Sequence, residues 1–234
     1  LYLRAADSAG NWSEVQSVSL TVNTDVTNVF ADDFEAGNTA GWLATVGDVT
    51  VTETAAQTGR FGAQINLNTN EPSYMIANRS VANVACVSTA FSFRTQSATL
   101  NEDLDIFQIL NTTNQSLYGV TLEENSPQDL EVMAWATPSG SSVRVLGEGI
   151  HLTDREAWQQ IELRWHIQDG RVEMLVNDQI VTTFNDMNLS TDEIIEFWLG
   201  AFTGIEQANG LLHFDNITAQ PCVYQQYLPV IFQK

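Results

Sequence analysis

The chain has 234 residues, of which 44% are hydrophobic, enough for the core of one large β domain or two ordinary ones. Nine basic residues against 29 acidic ones give a formal net charge of −20, which repels phosphate backbones and anionic membrane surfaces. We therefore expect no nucleic-acid partner. No apolar run approaches the roughly 20 residues of a membrane helix, so we also expect no membrane span.

The lysine and cysteine content argues against several further classes of catalytic and metal site. The only lysine is Lys234, so Schiff-base catalysis and a phosphate-binding P-loop lack a lysine. The two cysteines, Cys86 and Cys222, stand alone in the sequence and match neither a zinc site nor a CxxC redox motif. They form either a disulfide, in an oxidising compartment, or two buried thiols. The low content of charged residues, 16%, is typical of secreted bacterial β proteins.

Residues 1–24 predict a β-hairpin. Leu1–Ala5 and Val15–Val22 alternate apolar and polar residues, and Asp7–Asn11 is a turn cluster. A lone hairpin is marginally stable in water, so we expect it to belong to a domain whose earlier strands lie upstream. Tyr2–Ser13 resembles the last two strands of bacterial immunoglobulin-like or fibronectin-like repeats. Residues 25–31 show no periodicity and are interpreted as a linker.

From Phe30 onward, short apolar or alternating runs separated by turn residues predict an all-β domain. Turn dipeptides at Asp169-Gly170 and Asn177-Asp178 predict a three-strand meander over residues 163–181. About 190 residues is too long for one immunoglobulin domain and favours a two-sheet sandwich.

Several short motifs occur in a characteristic order along this domain. They are Asp32–Glu35 with Trp42, Gly59–Ala63, Ala157–Trp165, Leu199–Phe202 and Phe214–Ile217. In this order they resemble the laminin-G-like, concanavalin A-like lectin and glucanase jelly roll. The resemblance implies a two-sheet antiparallel jelly-roll sandwich over residues 32–220. Residues 221–234 form a tail, in which Gln226–Lys234 resembles the Tyr-Leu-Pro tail of secreted proteins of filamentous phototrophic-type bacteria and implies a location at the bacterial cell surface.

The glucanase side of this resemblance implies two glutamates around a central aspartate on one strand face. The best local match, Asp103–Gln108, has Asp103 at the nucleophile position, whereas Phe107 or Gln108 occupies the position of the general acid. Neither Phe nor Gln can protonate a leaving group, so the sequence predicts a protein that is not an enzyme. The alternative is a glycoside hydrolase or lyase whose carboxylates come from neighbouring strands. Its candidate carboxylates are Glu131, Glu162 and Glu196.

Two tryptophans are predicted to lie on the outward faces of strands. In Leu130–Ala136 the alternating apolar series faces the core, which leaves Trp135 beside Glu131 on the other face. The same alternation around residue 197 leaves Trp198 beside Glu196. Exposed tryptophans stack on sugar rings, so these four residues are the predicted ligand-binding set. The alternative is that loops of the jelly roll cover them.

The terminal strands of sandwiches of this type usually pair, which bears on two further predictions. Asp33 and Glu35 near the start of the domain and Asp215 near its end would converge, and the resemblance implies a structural calcium ion between them. The alternative is hydrogen bonding from Asn216, Thr218 or backbone amides. The same pairing would bring Cys86 and Cys222 together in a disulfide.

The sequence thus predicts a non-catalytic, extracellular carbohydrate-binding or adhesion and spacer module, monomeric within a larger secreted bacterial protein. Its expected partner is a polysaccharide or glycan surface. The alternatives are the hydrolase or lyase and a purely structural domain without a ligand.

Overall fold

The computed structural model describes residues 2–3, 9–12, 16–17, 29–81, 85–126, 129–138, 140–167, 169–185, 187, 194–206 and 208–222. The chain divides into two compact units, residues 28–222 and a smaller one formed by residues 1–27 and 223–234. In the described part of the chain, no helix is long and apolar enough to cross a membrane.

Among its described residues, the smaller unit contains one antiparallel strand pair. β1 (Tyr2–Leu3) pairs with β2 (Gln16–Ser17), with Tyr2 opposite Ser17. This is the pairing that the alternating pattern predicts for a hairpin. The rest of the predicted hairpin, most of the predicted linker and residues 223–234 of the predicted tail lie outside the described residues. The immunoglobulin-like origin and the domain boundaries stay predictions.

The larger unit is a sandwich of two eight-stranded sheets. The strands of the first sheet are β4 (Ala44–Val46), β7 (Ser73–Val81), β9 (Leu104–Asn111), β10 (Ser116–Ser126), β11 (Asp129–Ala136), β12 (Val145–Leu146), β13 (Ile150–Leu152) and β17 (Ile194–Ala201). Their order is β12-β11-β10-β9-β17-β7-β4, and β13 also pairs with β11.

The strands of the second sheet are β3 (Phe30–Asp32), β5 (Val49–Thr52), β6 (Gly62–Asn66), β8 (Cys86–Thr99), β14 (Gln159–His166), β15 (Arg171–Val176), β16 (Gln179–Phe184) and β18 (Asn209–Pro221). Their order is β16-β15-β14-β8-β18-β6-β5, and β3 also pairs with β18. β3 begins at Phe30, within the segment interpreted as the linker. Two 3₁₀ turns, Glu53–Ala55 and Leu67–Thr69, flank β6.

The strand pairs of both sheets are antiparallel, as the predicted jelly-roll sandwich requires. Alternate residues of the long strands point between the sheets and form one continuous apolar core. Trp165 of β14 is fully buried there and meets Tyr118 of β10 edge to face, with ring centroids 4.6 Å apart. The core therefore joins strands from both sheets.

The predicted three-strand meander is present as β14-β15-β16. Asn177 and Asp178 both have positive φ, 50° and 65°, as a two-residue turn between right-twisted strands demands. The Asn177 side chain also accepts a hydrogen bond from the backbone N–H of Gln160, which fixes the turn to the neighbouring strand.

Candidate functional site

One cross-strand row runs across the outer face of the first sheet. Trp198 of β17 lies opposite Gln108 of β9, and Gln108 lies opposite Gly119 of β10. Gly119 in turn lies opposite Trp135 of β11. The residues on either side of both tryptophans belong to the core, so the row faces away from the second sheet. Three interstrand steps of about 4.8 Å separate the two tryptophans by about 14 Å. The outward orientation predicted from alternation is correct, and the strand order adds that both lie on one sheet.

Trp198 forms an aromatic cluster at one end of this row. Its ring stacks on Tyr74 of β7 with centroids 4.7 Å apart and planes inclined by 10°. Phe202 meets it edge to face at 6.0 Å. The indole Nε1 donates to the Glu196 carboxylate at 2.9 Å, so the predicted neighbours Trp198 and Glu196 are in direct contact. All four side chains are partly exposed, which places partly exposed aromatic rings beside a carboxylate on this face.

Trp135, at the other end, is buried, whereas the sequence predicts that it is exposed. Its relative accessibility is 0%, because the loop that leads into β12 lays the Arg144 guanidinium over the indole ring, 3.8 Å from its centroid. The indole Nε1 donates to Asp105 at 3.2 Å. The predicted outward face is correct, and the alternative that a loop covers the ring describes Trp135. Alternation within β11 carries no information about a cover supplied by residue 144.

Asp105 organises this end of the row, although the sequence patterns do not predict it as a site residue. It is only 3% exposed, and its two carboxylate oxygens accept hydrogen bonds from four side chains. Trp135 and the Thr121 hydroxyl donate to Oδ1. Arg144 and the Thr203 hydroxyl each donate to Oδ2 at 2.8 Å. A buried carboxylate with this many donors is fully satisfied.

A register shift in β9 places Asp105 and Gln108 on the same face. The pairing of β9 with β10 skips one residue between Asp105 and Phe107. Such a β-bulge inverts the alternation, so Phe107 points into the core while both polar side chains point outward. Gln108 is 6% exposed and accepts a hydrogen bond from the Ser116 hydroxyl at 2.8 Å. The row thus has polar groups between its two aromatic ends.

Two glycines allow neighbouring groups to approach closely on this face. A Cβ at Gly119 would stand 2.5 Å from the Trp135 ring and 2.2 Å from the Phe107 carbonyl oxygen. A Cβ at Gly200 would stand 2.5 Å from the Tyr74 backbone, and Gly200 has a φ of +141° that side chains rarely adopt. Gly119 therefore gives the Trp135 ring room, and Gly200 lets the backbone of the neighbouring strand approach closely.

The predicted ligand residue Glu131 lies on the same face but away from Trp135. Four residues along β11 correspond to about 13 Å. Glu131 stands directly opposite Glu123 and accepts a hydrogen bond from Asn125 at 3.2 Å. Burial, together with the charges of Asp103 and Glu131, raises the pKa of Glu123. The predicted contact partner of Trp135 is thus replaced by Asp105 and Arg144.

The candidate catalytic glutamates do not come together. Glu131 and Glu196 lie on the first sheet, whereas Glu162 belongs to β14 of the second sheet. Burial raises the pKa of Glu162, but hydrogen bonds from Arg164 and Ser88 outweigh it and lower the pKa overall. Glu162 is therefore a paired structural carboxylate.

The predicted calcium ligands are engaged by backbone amides. Glu35 Oε1 accepts from the N–H groups of Arg60 and Phe61, and Asp33 accepts from Glu35. Asp215 accepts from the N–H groups of Gln57, Thr58 and Asn216. The described residues contain no group of three His, Cys, Asp or Glu side chains arranged to hold a metal ion. The alternative of amide hydrogen bonds describes the observed geometry, and calcium binding here stays a prediction.

Cys86 at the start of β8 and Cys222 after β18 form a disulfide, with Cα atoms 5.2 Å apart. Adjacent strands bring them together, because the Cys222 N–H also donates to the Cys86 carbonyl oxygen at 3.0 Å. The bond fixes the end of the last strand to the sheet.

On the outer face of the second sheet, His213 of β18 is fully buried. Its Nδ1 accepts a hydrogen bond from Arg94 Nε at 3.1 Å, which places the proton of the neutral ring on Nε2. Nε2 has no hydrogen-bond partner among the described residues. Burial, and secondarily the Arg94 charge, lowers the pKa of His213 to about 4. Arg94 also donates to the Thr54 carbonyl and covers the Trp158 ring.

Comparison with known proteins supports the fold. No protein-family model and no curated protein sequence matches the chain. Among solved structures, the cellulose induced protein Cip1 is similar with a TM-score of 0.58 and 16% identity, over 81% of this chain and 96% of that one. The binding domain of botulinum neurotoxin serotype G is similar with a TM-score of 0.58 and 12% identity, over 83% of this chain.

A third similar structure comes from botulinum neurotoxin type C, whose cell entry depends upon interaction with two ganglioside molecules. It has a TM-score of 0.53 and 10% identity over 76% of this chain. The chain covers 48% and 42% of the two neurotoxin chains. At these identities the similarity concerns the fold, and it supports the jelly-roll-like sandwich without assigning the chain to the laminin-G-like family.

Proposed function

We propose that this chain is a non-catalytic extracellular module that binds a glycan on the outer face of its first sheet. The observation that carries the proposal is the partly exposed aromatic cluster of Trp198, Tyr74 and Phe202 with the Glu196 carboxylate beside it. A flat aromatic ring packs against the apolar face of a pyranose, and an adjacent carboxylate accepts hydrogen bonds from its hydroxyls.

The continuation of the row supports an oligosaccharide as the ligand. From Trp198 the row passes Gln108 and reaches the side chains around Trp135 about 14 Å away. That distance exceeds one sugar ring, so a bound chain would cross several strands. The type C neurotoxin, which shares the fold, interacts with gangliosides, and this agrees with a glycan as the class of ligand.

Other features support the extracellular and non-catalytic parts of the proposal. The Cys86–Cys222 disulfide fits an oxidising compartment. Asp105, the central aspartate of the glucanase-like segment, is saturated by four donors, and neither Phe107 nor Gln108 supplies an acid. We retain the monomeric state, the bacterial cell surface and a role in adhesion within a larger chain as parts of this proposal.

A glycan array, followed by titration calorimetry with the glycans that bind, tests the proposal. We expect Trp198→Ala to weaken binding at least tenfold, because it removes the exposed ring, and Glu196→Gln to weaken it less. Trp12→Ala is the matched control, since Trp12 is 63% exposed and lies in the other unit. Absence of binding on the array would favour a purely structural spacer. Reproducible release of reducing sugar or of unsaturated products would favour the hydrolase or lyase.

A further inference from the structure

Arg144 places a fixed positive charge beside the proposed glycan surface. Its side chain is 39% exposed, its Nη1 donates to Asp105 at 2.8 Å, and its guanidinium lies 3.8 Å from the centroid of the Trp135 ring. Guanidinium carries five N–H donors. Among the residues that the structure describes, only Asp105 accepts from Arg144, so the Nε and Nη2 donors remain available.

Asp105 holds this arginine in place, and its carboxylate oxygens have no free acceptor position for a ligand. Its two oxygens already accept from Trp135, Thr121, Thr203 and Arg144. Arg144 is therefore fixed at one end by a buried carboxylate and along its plane by an indole ring. A side chain held in this way loses little conformational entropy when it binds a further group.

The other arginines whose side chains the structure describes lack this arrangement. Four of them pair with glutamates: Arg60 with Glu53, Arg155 with Glu124, Arg164 with Glu162 and Arg171 with Glu173. Arg94 is engaged on the second sheet by His213 and the Thr54 carbonyl. Arg144 is distinguished by a partner carboxylate that three further donors share, and by its place on the face that carries the Trp198 cluster.

We propose that the glycan bound on this face carries a carboxylate that pairs with Arg144, and that the rest of the glycan is neutral. This inference rests on the proposed function. Guanidinium and carboxylate form two parallel hydrogen bonds, and the Nε and Nη2 donors provide the required fork. The net charge of −20, with Glu131 and Glu196 on the same face, disfavours a polyanion. One acidic sugar at the Arg144 end and neutral sugars toward Trp198 match the charges of the face.

Calorimetric titration of the full chain with matched oligosaccharides at fixed ionic strength tests this inference. The first pair is 3′-sialyllactose and its carboxyl methyl ester. The second is a xylo-oligosaccharide with one glucuronic acid branch and its carboxyl methyl ester. Polygalacturonate serves as the polyanion. The two pairs distinguish a sialic acid from a uronic acid as the source of the carboxylate. We expect the acidic member of one pair to bind at least tenfold more tightly than its neutral partner, and polygalacturonate to bind more weakly.

Variants separate the role of the guanidinium from that of the fold. Arg144→Gln should abolish the preference for the acidic member, whereas Arg60→Gln, which breaks an exposed ion pair, should leave it unchanged. Arg144→Lys keeps a charge beside Asp105 but loses the fork, so it should retain the native melting temperature and most of the preference should disappear. Full preference in Arg144→Lys would contradict the two-bond contact.

The outcomes distinguish this inference from the proposed function. Equal binding of acidic and neutral members, with loss of both in Trp198→Ala, would overturn the acidic-glycan inference and leave the glycan-binding proposal intact. Tighter binding of polygalacturonate would overturn the assignment of a single carboxylate in a neutral glycan. No binding of any of these ligands or of the array glycans would overturn both.

Discussion

The buried His213 makes the stability of this protein sensitive to pH in a defined window. The folded state holds the pKa of His213 near 4, whereas an unfolded chain gives histidine its ordinary value of 6.5. Between these values the unfolded chain binds a proton that the folded chain does not. The contribution of His213 to stability is therefore complete above pH 6.5 and is lost as the pH falls from 6.5 toward 4. A pKa difference of 2.5 units corresponds to a loss of about 2 kcal/mol by pH 5 and about 3 kcal/mol by pH 4.

Urea denaturation of the intact chain and of His213→Asn at pH 7, 6, 5 and 4.5 measures this loss. Asparagine offers an oxygen to Arg94 near the position of Nδ1 but does not titrate. Protonation of Glu124 and Glu162, whose pKa values are lowered in the folded state, also destabilises the fold in acid, and both residues are present in both proteins. We therefore expect the intact chain to lose about 2 kcal/mol more than the variant between pH 7 and pH 5. Parallel loss of stability in the two proteins would refute the buried neutral histidine, whatever their difference at pH 7.

Three further predictions concern the sandwich and its outer face. Gly119→Ala should cost about 1 to 3 kcal/mol in urea denaturation, because its Cβ would overlap the Trp135 ring and the Phe107 carbonyl, whereas Gly41→Ala, where the nearest atom is 3.6 Å away, should change the stability by less than about 0.5 kcal/mol. Reduction of Cys86–Cys222, which closes a separation of 136 residues, should lower the free energy of unfolding by about 5 kcal/mol, and an equal midpoint with and without reductant would contradict it. Tyr74→Ala should weaken glycan binding severalfold by freeing the Trp198 ring from its stacking partner, and unchanged calorimetric affinity would place the ligand elsewhere.

Local patterns predicted those parts of the fold that depend on neighbouring residues in the chain. The meander over residues 163–181 followed from its two turn dipeptides, and the faces of Trp135 and Trp198 followed from strand alternation. What local patterns could not provide was the strand order β11-β10-β9-β17, which joins residues 63 positions apart into one row. The predicted exposure of Trp135 was wrong because Arg144 covers its ring from a loop, and strand alternation does not describe loops.

The sequence nevertheless contains signals at the site that alternation alone does not use. Asp105 and Gln108 are polar residues within the otherwise apolar run Leu104–Leu110, and a polar residue in a buried strand requires a partner. Gly119 and Gly200 interrupt strands rich in large apolar residues, and a glycine inside a strand marks the close approach of a neighbouring group. In this structure the Trp135 ring lies over Gly119, and the Tyr74 backbone lies beside Gly200. Both signals therefore mark the outer face of the first sheet. The glycines are there because a Cβ would overlap the neighbouring groups, and the buried Asp105 is stable there because four side chains donate hydrogen bonds to it.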